Sequence, residues 1–172
     1  MLFNHSLTSP SPRRIPLAAN REANYQYPAH SSQTGSLNLF VQGYYRVINC
    51  RTRCSSVPHG TYIFVIPFNR PDIVLVMPSN YANDFGHTSL TQAPFNPEVR
   101  PINYNPDAVC YAGQIEFFNG ELREWNNNSG HYHPPVNLHS SNLSATAAAI
   151  LPASRFKPHK RKPLPDPKLL RR

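Results

Sequence analysis

Two short segments of this chain carry side chains suited to proton transfer and anion binding. They are Gly86-His87-Thr88-Ser89-Leu90 and Ser129-Gly130-His131-Tyr132-His133-Pro134. An imidazole titrates near neutrality and moves protons in either direction, a hydroxyl orients a ligand, and a phenol donates a hydrogen bond. His87, Ser129, His131 and Tyr132 are therefore the candidate catalytic set, with His131 as acid/base group or anion ligand and Tyr132 as donor. The place of His131 at a hairpin exit, near the start of a helix, would add backbone N–H groups that favour anions. The same residues would also serve a turn in which His131 and Tyr132 bond the backbone and fasten a hairpin to a helix. His87 and His131 flank that hairpin in sequence, so their pairing across a cleft is a specific expectation.

The hairpin runs from Val109 to Trp125. Asn119-Gly120 supplies the two positive-φ residues of a type I′ turn, and a two-residue loop fixes the register. Phe118 then faces Glu121, Phe117 faces Leu122, Glu116 faces Arg123, Ile115 faces Glu124 and Gln114 faces Trp125. That pattern puts Ile115, Phe117 and Leu122 on one face and pairs Glu116 with Arg123 on the other. Glu116 and Glu124 fall on opposite faces, which makes them a poor carboxylate pair. Trp125 is expected to cover the sheet edge.

Other chemistry is less well served. His87-Thr88-Ser89-Leu90 has the His-x-Ser/Thr-apolar shape of the two-histidine phosphoesterases, but such enzymes need a second copy, and His131-Tyr132-His133 lacks the hydroxyl. Zinc would need Cys50, Cys54 and Cys110 with histidines, or His131, His133 and His139. An odd cysteine count without a CxxC pair reads more simply as free thiols, and Pro134-Pro135 disturbs the approach to His139. The sequence assigns no metal and no cofactor.

A net charge of +8 suggests a nucleic-acid partner until its location is read. Residues 154–172 hold eight basic residues against Asp166, residues 1–35 hold three against Glu22, and residues 36–153 hold six arginines against seven acids. The body is neutral and the tails are basic. Sequence-specific recognition of nucleic acid is not expected of such a body. The tail's Lys157-Pro158-His159-Lys160-Arg161-Lys162-Pro163 suits weak electrostatic contact with nucleic acid or acidic surfaces, an import-type receptor, or simple solubility. All four lysines lie in this tail, so the first 156 residues have none. That bias fits an arginine-preferring genome, or avoidance of lysine modification inside a foreign cell.

Nineteen prolines against seven glycines favour short strands and rigid loops over long helices. Leu37–Ile48 reads as a strand broken near Gly43, and Thr61–Ile66 with Asp72–Met77 as a core hairpin with a loop of about five residues. Residues 78–108 read as a long, partly ordered loop. Leu138, Leu143, Ala147, Ile150 and Leu151 have helical spacing, closed by Pro152. The fold class is therefore α+β: a small antiparallel sheet of four to six strands packed by one C-terminal helix. A disordered leader (1–35), the domain (36–152) and a disordered basic tail (153–172) complete the organisation. No apolar run reaches the roughly 18 residues of a membrane span, and the first residues lack a signal-peptide layout.

The order Gly-His-Thr-Ser-Leu, Tyr-Ala-Gly-Gln-Ile-Glu, Asn-Gly and Ser-Gly-His-Tyr-His-Pro over residues 86–145 resembles scattered, mostly bacterial proteins. In those, a His-Ser/Thr-Ser segment precedes an Ala-Gly-Glu strand, an Asn/Asp-Gly hairpin and a Ser-Gly-His-Tyr-x-Pro turn. Several look like secreted effectors or toxin-like modules. Gln114 stands here where an acid is common. The resemblance implies an effector- or toxin-like domain, cytoplasmic in its producer, exported without a cleavable signal and acting on an unknown macromolecule in another cell. The competing expectations are a non-catalytic protein-interaction module and a basic-tail accessory to nucleic acid.

Overall fold

The Asn119-Gly120 turn forms as its residue types dictate, with φ of +48° and +83°. The computed structural model describes residues 13–20, 26–81, 85–92 and 106–160. Around this turn, β6 (Val109–Phe118) and β7 (Glu121–Trp125) pair antiparallel. The other strands are β1 (Gly35–Leu39), β2 (Tyr45–Asn49), β3 (Ser55–Ser56), β4 (Gly60–Pro67) and β5 (Leu75–Pro78). All seven join one antiparallel sheet in the order β3-β2-β1-β5-β4-β6-β7.

The architecture is a mainly antiparallel sheet with a few short helices, larger than the four to six strands expected. The expected core hairpin is present, with β4 paired to β5 from Tyr62–Pro78 to Val65–Leu75, while the strand expected to break near Gly43 instead folds back there (φ +78°) as an antiparallel β1–β2 hairpin. The β4 and β5 runs are apolar throughout because both faces of the sheet are covered. Phe64, Ile66, Val74 and Val76 enter one cluster with Trp125, Leu143 and Ile150. Ile63, Val65, Leu75 and Met77 enter the other with Leu90 and Tyr132.

The hairpin register holds for Phe118–Glu121 and Phe117–Leu122, then departs from expectation. A bulge inserts Arg123 as an extra residue, so Glu116 faces Glu124 and Ile115 faces Trp125. Arg123 accordingly pairs with Glu121 at 3.7 Å rather than with Glu116. The bulge brings two carboxylates opposite each other, and Lys157 forms an ion pair with Glu124. It also turns Trp125 into the core: the ring is wholly buried, and its Nε1–H donates to the Pro152 carbonyl at 2.8 Å.

The single C-terminal helix divides into α2 (Leu138–Ser141) and α3 (Ala145–Ile150). The intervening Asn142 bonds to segments far away in the chain. Its Oδ1 accepts from the Ile15 N–H at 2.6 Å, and its amide donates to the carbonyls of Ile15 and Cys110. Ser144 then caps α3, accepting from the Ala147 N–H and donating to the Pro71 carbonyl. A further helix, α1 (His87–Thr91), lies in the stretch read as loop, and packs on β4, β5 and β6.

Parts of both expected tails are structured. Leu17 exchanges backbone hydrogen bonds with Val109, and Ala29 N–H donates to Ser89. After a single 3-10 turn at Ala153–Arg155, Phe156 bridges to Trp125 and stacks on His139 at 4.3 Å. The Lys157 N–H donates to Trp125 and the His159 N–H to Asn127. Packing against the only tryptophan thus carries ordered chain past residue 153, where composition had placed the tail. Residues 161–172, which hold most of the basic cluster, lie outside the described residues. No helix among the described residues is long and apolar enough to cross a membrane.

Candidate functional site

Helix α1 meets the chain leaving β7 beside Gly113, and this junction holds the candidate residues. Gly86 precedes α1 in extended conformation, and its N–H donates to Ser89 Oγ at 3.0 Å, closing the first turn. Gln26 reaches in from the N-terminal segment, where its Oε1 accepts from Thr88 Oγ1 at 2.6 Å.

His87 is 7% exposed, and its Nε2 lies 2.8 Å from the Gly113 carbonyl oxygen. A carbonyl only accepts, which makes Nε2 the protonated nitrogen and leaves Nδ1 with its lone pair. Burial holds the imidazole's pKa down to about 4; the Gly113 hydrogen bond opposes this, and the nearby His131 adds to it. His87 is therefore a neutral imidazole at physiological pH.

Gly113 is required by the approach of the chain after β7. A Cβ there would sit 1.8 Å from the Asn126 carbonyl oxygen and 3.1 Å from the Phe64 ring. The three asparagines that follow Trp125 build the wall of the junction. Asn126 Oδ1 accepts from the N–H groups of Gln114 and Asn128, at 3.2 and 2.9 Å. Asn128 donates to Gln114 Oε1 at 3.1 Å, and Asn127 donates to the Pro134 carbonyl at 2.9 Å. None of these was singled out from sequence, although an asparagine run after a strand is a turn-forming signal.

The remaining candidates are held by their own hydrogen bonds. Ser129 is 2% exposed, and its Oγ accepts from the Tyr132 N–H at 3.3 Å. Tyr132 is 4% exposed; its hydroxyl donates to the Asp107 carbonyl at 2.7 Å and lies 3.2 Å from Thr91 Oγ1 of α1. These contacts tie the Ser129–Tyr132 turn to α1, so both hydroxyls have structural partners. His131 is the one member of the set left partly exposed, with its carbonyl accepting from Asn20 N–H at 2.7 Å. The arrangement holds a buried, neutral imidazole against Gly113 and leaves His131 partly accessible, within a frame of side-chain amides.

Among the described residues, no group of three or more His, Cys, Asp or Glu is placed to hold a metal ion. His139 bonds through Nδ1 to the Val136 carbonyl and stacks on Phe156, while Cys110 is buried and Cys54 exposed. No protein-family model, curated protein or solved structure matches this chain.

Proposed function

We propose that this chain is an effector- or toxin-like domain whose active group is His131, supported by His87. The observation that carries this reading is that His131 alone of the four candidates is partly exposed, while His87, Ser129 and Tyr132 are buried and hydrogen-bonded. His131, the more exposed ring, exchanges the proton with a ligand. His87, neutral and bonded to the Gly113 carbonyl, anchors α1 to β6. Ser129 and Tyr132 position His131 by fixing the turn on either side of it. The sequence pattern shared with effector-like proteins and the lysine-free body support action inside a foreign cell. Expression toxicity in bacterial and yeast hosts, comparing the intact chain with His131→Ala at matched soluble levels, tests the reading.

A second reading is a non-catalytic interaction module. It is favoured by the engagement of the Ser129 and Tyr132 hydroxyls in backbone contacts. Partner binding that survives the double variant His87→Ala/His131→Ala would support it.

A further inference from the structure

The sheet curls far enough that strands distant in its order touch. Tyr45 N–H of β2 donates to the carbonyl of Gly120, in the β6–β7 turn, at 2.8 Å, and Gly120 N–H donates to Pro58. Beside this contact lies a seam between the β1–β2 and β6–β7 hairpins. Two adjoining depressions of about 350 and 410 Å³ lie along it and share Gln42, Tyr44 and Tyr45. Glu121, Arg123, Pro152 and Arg155 wall the first; Phe40, Arg46 and Val57 line the second. Such openings between curled strands are common places for ligands.

The rim of the seam is apolar and exposed. Of its lining, Phe40, Tyr44 and Val57 are each about half exposed, and Val41 next to Gln42 is fully exposed. Single exposed apolar side chains are ordinary, whereas several on adjoining hairpin tips form an interaction patch. The charged groups are mostly basic: Arg46, Arg123 and Arg155 stand against Glu121 alone. Glu121 lies beside Arg123, and among the described residues neither Arg46 nor Arg155 has an acid within ion-pair distance.

We propose that this seam docks an acidic segment of a partner protein, in which carboxylates alternate with apolar side chains along an extended chain. Guanidinium groups bind carboxylates through paired N–H donors, and tyrosine with arginine is the usual composition of binding hot spots. Val57 and Pro152 add aliphatic lining that takes peptide side chains, beside the rings of Phe40, Tyr44 and Tyr45. Two copies of this face would bring like charges together, which disfavours self-association. The groove opens on the Trp125 side of the sheet, opposite the face that α1 covers, so it works independently of the His87–His131 site.

Panning a phage-displayed random peptide library on the intact chain, then titrating labelled synthetic versions of the enriched peptides by fluorescence polarisation, tests the proposal. The expected peptides are rich in Asp and Glu interspersed with Leu, Ile or Phe. Their affinity should fall about tenfold or more in both Arg155→Glu and Tyr44→Ala, with thermal unfolding unchanged. Failure to enrich any peptide, enrichment of non-acidic peptides, or unchanged affinity in both variants would overturn it. Sedimentation velocity and titration with a single-stranded oligonucleotide cover the other occupants. A dimer dissolved by Val41→Asp, or oligonucleotide binding lost in Arg155→Glu, would assign the groove elsewhere and equally overturn it.

Discussion

His87 donates from Nε2 to the carbonyl oxygen of Gly113 at 2.8 Å, joining α1 to the one position of β6 that tolerates no side chain. This bond fixes the tautomer of a buried imidazole. It also has a consequence for stability. The folded state holds His87 near pKa 4, against about 6.5 in the unfolded chain. Between those values the unfolded state binds the extra proton, so stability is fully present above pH 6.5 and is lost as pH falls toward 4. About 3 kcal/mol is at stake. Urea unfolding of the wild type and of His87→Gln from pH 7.5 to 4 checks this, the variant giving a shallower slope over that interval.

Gly113→Ala should destabilise the domain by about 1–3 kcal/mol, because the added Cβ meets backbone at Asn126 rather than a movable side chain. The displaced strand exit should also move the His131 environment. Chemical denaturation reports the first effect, and a shift of the His131 ring resonances in proton NMR reports the second.

Tyr132→Phe keeps the ring in its cluster and removes the hydroxyl bonded to the Asp107 carbonyl. The unsatisfied carbonyl should cost about 1–2 kcal/mol. If Tyr132 only positions the turn, toxicity per folded molecule should fall modestly; complete loss in a folded variant would instead make the phenol a reacting group.

Phe156→Ala should release the segment that covers Trp125, since Phe156 lies 4.6 Å from that ring and stacks on His139. A loss of about 2 kcal/mol is expected for a partly buried aromatic. Because Trp125 is the only tryptophan, its emission is a direct readout: a red shift in the folded variant shows water reaching the ring, and an unshifted spectrum would show that the segment is held by other contacts.

Local signals in the sequence were sufficient for the β4–β5 and β6–β7 hairpins. Asn119-Gly120 fixed a turn and two pairs of the register, because a type I′ turn depends on two residues. The third pair failed because the Arg123 bulge belongs to the packing of Trp125 into the core, which no local pattern encodes. The break between α2 and α3 escaped for the same reason, since Asn142 takes partners 127 and 32 residues away. Helix α1 is too short to show a period. His87, Ser129, His131 and Tyr132 were legible as chemical types, and the structure separates them by burial and partners. Gly113 and the asparagine wall were not, because their part in the site comes from chain segments meeting in space.

The central claim is that His131 is the active group and His87 its support. The most direct test is growth of bacterial and yeast hosts expressing the intact chain or His131→Ala at matched soluble levels, with circular dichroism confirming the fold of each. Growth arrest by the intact chain that disappears in the folded variant is the predicted result. Equal arrest by both proteins would contradict the claim.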